Sequence, residues 1–177
     1  MTVFVAGVHG VGKTYLCKQY EGSFNAIHES ASELIRKERA LADWSIDKKV
    51  RDIDVNQIAL TRAVKRLCSN GQSLLLDGHF VLIGELAKLV PIGVSTFEGL
   101  SISSVVLIEA ATSVISSRLS ARNFKSAVDI GDFVQAERAH ARAVCEHLGV
   151  SLHVLYEPDF EEFSRVVSMQ FKYAKVE

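Results

Sequence analysis

A chain of 177 residues with 48% hydrophobic and 23% charged side chains has the balance of an ordinary soluble protein. It is long enough to bury a core between helices and a sheet as one domain over 1–177. Twenty basic residues against 21 acidic ones leave a formal net charge of −1, so no overall field draws the chain to a nucleic-acid backbone and nucleic acid is not an expected partner. Cys17, Cys68 and Cys145 are odd in number and scattered, against a disulfide framework or a C-x-x-C zinc site. The N-terminus has no basic segment of a signal peptide, and Glu85 and Lys88 interrupt the longest apolar stretch; a cytoplasmic protein with no membrane partner is expected.

Runs rich in Val, Ile and Leu alternate with segments of helical period, the pattern of a parallel sheet covered on both faces. The first strand is expected near 2–6, and Gly7-Val8-His9-Gly10-Val11-Gly12-Lys13-Thr14 follows it directly. This is the phosphate-loop pattern G-x-x-x-x-G-K-[ST] in its proper strand context. The glycines let the backbone N–H groups of the loop, through Val11 and on to Tyr15, turn inward around phosphates, and the next helix adds its positive end. Lys13 is placed for the β- and γ-phosphates and Thr14 for Mg²⁺, which makes ATP the expected co-substrate and Mg²⁺ the expected cofactor. His9 occupies a variable loop position.

A second strand is expected near 24–28. Ser30 and Glu33 then have the spacing of a capping box opening a helix over "ELIRKERALA". Trp44 is read as a core edge or a stacking group, and Asp52 and Asp54 as part of a mobile charged loop. From Asp54 to Ser69, Leu60, Val64 and Leu67 form a helical stripe. The next strand, 73–77, ends "SLLLDGH": a carboxylate, Asp77, closes a buried strand beside the phosphate loop, where it would hold Mg²⁺. The following residues are Gly78 and His79, not the acid with which motor and AAA-type ATPases polarise water, and the chain is short for an AAA-type module with a helical lid. No N-K-x-D string is present to read guanine. His79 would orient an acceptor or act as a base.

Residues 91–100, with Gly93 and Gly99, are expected to form a loop before a fourth strand at 103–109. Arg118 and Arg122 follow at i,i+4, so on one helix they share a face while Ile115 and Leu119 anchor its neighbour. One would stack on adenine and the other reach phosphate. Arg138 and Arg142 form a second i,i+4 pair, with Lys125 between the pairs. Phe133, Ala136, Val144 and Leu148 mark a helix, 151–156 a fifth strand, and Phe160, Phe163, Val167 and Phe171 a final helix. The fold class expected is α/β: a three-layer P-loop NTPase fold with a five-stranded parallel sheet in kinase-type strand order.

"LLLDGH", "SASELIRKE" and "VISSRLSARN" together resemble the nucleoside monophosphate kinases, and in particular the adenylate-kinase-like group with its short archaeal-type members. The resemblance implies that Arg36 grips the acceptor phosphate, that Arg118 and Arg122 are the paired arginines after the fourth strand, that helices at about 30–70 form the acceptor side, and that a short lid covers about 122–132. In the lid the chain departs from the family, reading "NFKSAVDIGDFVQAERAHARAV", where Arg138 stands in for a lid arginine. The expected activity is transfer of the γ-phosphoryl of Mg·ATP to a nucleoside monophosphate or similar small acceptor. The alternative is an adenylate-kinase-like ATPase that senses nucleotide or assists assembly with a protein or RNA partner.

Overall fold

The computed structural model describes residues 1–41, 52–69, 71–124 and 126–173; Trp44 and Lys125 lie outside them. Five strands, β1 (Thr2–Ala6), β2 (Ile27–Ser30), β3 (Leu74–Asp77), β6 (Ile102–Glu109) and β7 (Ser151–Tyr156), form one sheet in the order β2-β3-β1-β6-β7. All its pairings are parallel. This is the expected P-loop kinase-type arrangement, with β1 central because it is buried along its whole length. Val5 is paired with both Asp77 and Val106, so β1 and β3 end within a residue of each other while β6 runs on to Glu109.

Helices α1 (Lys13–Ser23) and α7 (Phe160–Tyr173) pack together on one face, joined by the Tyr20 hydroxyl and Ser168 at 2.9 Å and by Phe163 edge-on to Tyr20. The other layer holds α4 (Val94–Glu98), α5 (Thr112–Ser120) and α6 (Ile130–Leu148), where Phe97 and Phe80 meet Phe4 of β1 edge-on. Helices α2 (Ala31–Leu41) and α3 (Asp52–Cys68) pair beside β2.

Several local expectations change. Strand β2 begins three residues late because α1 runs to Ser23 and Phe24 closes it, donating its N–H to Tyr20 and stacking on the Tyr20 ring. The capping box does not form: Ser30 Oγ meets Ser32 Oγ at 3.0 Å and Glu33 pairs with Arg36, so α2 starts straight off the strand. Asp52 and Asp54 belong to α3 rather than to a loop. The region 91–100, read as a loop, holds the short helix α4 at Val94–Glu98, and just before it stands an unanticipated antiparallel hairpin, β4 (Val81–Ile83) with β5 (Leu89–Pro91). Strands of three residues carry too little periodicity to read, and their turn depends on left-handed Leu86 and Ala87, which no glycine announces.

Candidate functional site

The site grows from the aligned ends of β1 and β3. Gly7, with φ 143°, leaves β1 so close to β6 that an added Cβ would stand 2.4 Å from the Ile108 carbonyl oxygen. Gly10, also in the left-handed region, rests against Ile115 and Leu119 of α5, while buried Val8 and Val11 root the loop in the core. Val11 therefore has its backbone, not its side chain, to offer a ligand. Helix α1 opens at Lys13 behind a left-handed Gly12, with no side-chain cap and no acidic residue in its first turn. A helix start left in this way is the natural seat of an anion, so the cradle fits a phosphate chain. Thr14 is exposed beside it, and Tyr15, 69% exposed, points to solvent.

Lys13 does not extend into solvent. Its side chain is buried, with Nζ 3.3 Å from Nε2 of His79; burial lowers its pKa while the carboxylates of Asp77 and Glu137 oppose the shift. The ammonium donates to Nε2, which leaves the ring proton of His79 on Nδ1, where no partner reaches it. Burial, then the charges of Lys13 and His9, push the His79 pKa down to about 2, so the ring is neutral at physiological pH. His9 lies over it, ring centroids 4.3 Å apart, and its own pKa is lowered chiefly by burial. His79 thus joins the phosphate loop rather than standing free at a strand end.

Asp77 closes β3 as expected, but its Oδ2 is already taken by Nε2 of His28 at 2.7 Å, both side chains being almost wholly buried. The other unanticipated group is Glu137. Its carboxylate, 1% exposed, accepts from the N–H of Gly7 at 3.2 Å, from Phe80 at 3.0 Å and from Val81 at 2.8 Å. It therefore ties α6, the phosphate loop and the segment after Asp77 into one unit. Burial raises its pKa, and these backbone donors and Lys13 pull it back. One signal for it exists in the sequence: Phe133, Glu137 and Ala141 are i,i+4 neighbours on the buried stripe of α6, so a carboxylate interrupts an apolar face. For His28, in a strand of mixed polarity, there is no such signal.

The arginines divide. Arg118 donates through Nη1 to the carbonyls of Gly10 at 3.2 Å and Val11 at 2.9 Å, gripping the loop from behind. Arg122 does not share its face, because α5 stops at Ser120 and a tight turn with left-handed Asn123 follows; Arg122 is exposed on that turn. Arg138 is not free to act as a lid arginine. Its guanidinium forks onto both carboxylate oxygens of Glu109, at the end of β6, which raises its pKa. Arg36, 73% exposed on α2, pairs with Glu33. A cleft of about 740 Å³ lies between α5 and the start of α6, lined by Ser113, Ser116, Ser120, Phe124 and Asp129 among others, beside the phosphate loop rather than over Lys13.

A family described as an AAA domain matches residues 6–131, from the last residue of β1 into the start of α6. The chain belongs to this AAA-domain family. The expectation that chain length and the missing acid after Asp77 set it apart from AAA-type proteins does not hold for family membership, although Gly78 and His79 do follow Asp77 in this member of the AAA-domain family. No curated protein matches the sequence. Solved structures share the fold at low identity: a sugar kinase from Janibacter sp. HTCC2649, at 16% identity and TM-score 0.56, covers 97% of this chain and 94% of its own. A chain from Chloroflexus aurantiacus designated a kinase, at 15% and 0.55, covers 97% and 96%, and an uncharacterized protein from Eubacterium ventriosum ATCC 27560, at 10% and 0.51, covers 100% and 99%. The AAA-domain chain therefore has a nucleotide-binding P-loop fold of the kinase-like kind. Among the described residues no helix is long and apolar enough to cross a membrane.

Proposed function

We propose that this protein is a small-molecule kinase of adenylate-kinase-like character that transfers the γ-phosphoryl of Mg·ATP to a nucleoside monophosphate or similar small acceptor in the cytoplasm. The observation that carries the reading is the buried Lys13–His79 pair at the end of the sheet, in a chain where glycine, not an acid that would polarise water, directly follows Asp77. A neutral ring with Nε2 on the Lys13 ammonium and Nδ1 buried is a poor base for water and holds that ammonium in place at the phosphate loop.

The N–H groups of Gly10, Gly12 and Lys13 hold the donor phosphates, and the Lys13 ammonium, already desolvated, neutralises charge that develops on the transferred group. Thr14 and the carboxylate of Asp77 would hold Mg²⁺, which would supply further charge neutralisation on the donor phosphates. Arg118, anchored on the loop carbonyls beside Gly12, sets the shape of the cradle and adds positive charge at its rim. Arg36 takes the acceptor phosphate, exchanging Glu33 for it, and Arg122 closes with the lid at about 122–132. An acceptor oxygen forms its bond to the γ-phosphorus as the bond to the β,γ-bridging oxygen breaks, and ADP leaves with that electron pair.

Incubation with Mg·ATP and a panel of nucleoside monophosphates, nucleosides and small metabolites tests the assignment. A phosphorylated acceptor formed in step with ADP is expected. ADP release at one rate with or without every acceptor would instead give an ATPase, the sensor or assembly reading, which pull-down of a stimulating protein partner would then develop.

A further inference from the structure

Behind the phosphate loop, three side chains from three different elements converge: Cys17 on α1, His28 on β2 and Asp77 at the end of β3. One ligand atom from each, Sγ, Nε2 or Nδ1 of the ring, and a carboxylate oxygen, lies within 4.8 Å of the other two. All three cysteines of the described chain are free thiols, and Cys17 is completely buried. His28 gives the buried Asp77 carboxylate its hydrogen-bond partner, and the Cys17 thiol, one turn beyond Lys13, completes a set of three donor atoms.

We propose that Cys17, His28 and Asp77 form a binding site for one borderline-soft divalent cation of the Zn²⁺ class. The donor set decides the class of ion. Sulfur, imidazole nitrogen and carboxylate oxygen together suit Zn²⁺ or Co²⁺, whereas Mg²⁺ and Ca²⁺ take oxygen. Tetrahedral coordination at about 2.3 Å to sulfur and about 2.0 Å to nitrogen and oxygen separates neighbouring ligand atoms by about 3.3–3.6 Å. The Sγ atom starts within 4.8 Å, and the 2.7 Å contact between His28 and Asp77 opens by about 0.6 Å as the metal replaces the shared proton. Both changes are small enough for side-chain torsions to make without moving a strand.

Binding releases the thiol proton of Cys17 to solvent, and the ring proton of His28 moves to Nδ1 so that Nε2 donates its lone pair to the metal. Three protein ligands leave a fourth position for water or another small ligand. The backbone N–H of His28 is pinned to Glu21 Oε1 at 2.9 Å, and the three ligands stand on a helix and two paired strands, so the set is preorganised. Because Asp77 is also the carboxylate assigned to Mg²⁺, a cation here staples α1 to β2 and β3 and couples the two metals through one side chain. The site itself does not depend on phosphoryl transfer, and failure of the acceptor screen leaves it standing.

Titrating the metal-free protein with Co²⁺ tests it. The expected result is a thiolate-to-cobalt charge-transfer absorption that saturates at one equivalent and is abolished by Zn²⁺. Cys17→Ser should remove that band, and His28→Gln should weaken Co²⁺ binding by about a hundredfold, with metal-free melting curves serving as the folding control. X-ray absorption of the Zn²⁺-loaded unsubstituted protein, which needs no variant, should show one sulfur at about 2.3 Å among nitrogen and oxygen ligands. No charge-transfer band at one equivalent, a band that survives Cys17→Ser, or a zinc shell without sulfur would each overturn the proposal.

Discussion

The phosphate-loop side of this site, where the proposed donor would sit, is overdetermined, while the side proposed for the acceptor is left open. Around the phosphate loop, Lys13 meets His79, Asp77 meets His28, Arg118 holds two loop carbonyls, and Glu137 answers the N–H groups of Gly7, Phe80 and Val81. On α2, Arg36 stands in solvent with a single carboxylate partner one turn away. Charge stabilisation in a dry site works only if the groups are in place before the reaction, and burial is what makes them strong. A group that must exchange partners when a small molecule arrives has to remain wet and weakly held. The contrast therefore says where the chain has fixed its chemistry and where it leaves the ligand to complete it.

Breaking the donor side at its centre should have the largest effect. Glu137→Ala leaves three buried backbone N–H groups without an acceptor, and a cost of about 3–5 kcal/mol in unfolding free energy is expected. Glu137→Gln, which keeps one oxygen acceptor, should fall between. Urea denaturation measures both, and a loss below about 1 kcal/mol for the alanine variant would show that the loop is held elsewhere. Next in size, Lys13→Met keeps the apolar stem and removes the charge. Nucleotide affinity should drop at least about a hundredfold, or about 2.7 kcal/mol, by calorimetric titration.

His79 sharpens the comparison through pH. Its folded pKa of about 2 lies below the ordinary 6.5, so in acid the unfolded chain takes up a proton that the folded chain refuses. The stability is intact above pH 6.5 and falls as pH drops toward 2, by about 1.4 kcal/mol per unit from this group. In His79→Gln that loss disappears. Between pH 7.5 and 5 the variant should therefore lose about 2 kcal/mol less than the protein that keeps His79. His9, lowered in the same direction and in ring contact with His79, is replaced by Gln in both proteins so that the comparison reads His79 alone. Equal losses in the two proteins would mean that His79 is protonated in the folded state.

How much of this was legible in the sequence follows the same division. A phosphate loop is written in consecutive residues because its backbone must turn at fixed places, and Asp77 stands out because it ends an apolar strand. The five strands of the main sheet are read from such apolar runs, and their kinase-type order from the phosphate loop together with the separated strand that ends on Asp77. Glu137 reaches a glycine 130 positions earlier, and Arg138 forks onto a carboxylate 29 positions earlier; neither partner can be chosen without the fold. The pairing of Arg118 with Arg122 assumed that α5 continues, and it ends between them. Local rules located what a short stretch of chain builds alone, and missed the buried polar contacts between α6 and the ends of β3 and β6.

Arg36 supplies the smallest effect and the cleanest separation of the two sides. Its ion pair with Glu33 is an exposed i,i+3 pair, screened by solvent and of little consequence for stability. Arg36→Ala should then melt with the unsubstituted protein and bind Mg·ATP with the same affinity, since no described contact links Arg36 to the loop. If Arg36 takes the acceptor phosphate, the KM for the acceptor found in the product screen rises by about tenfold or more, the loss of one exposed charge-assisted contact to phosphate. Arg36→Lys keeps the charge without the fork and should recover part of that loss. An unchanged acceptor KM with a raised KM for ATP would reverse the assignment, moving Arg36 to the donor and leaving the acceptor to the serine-lined cleft between α5 and α6.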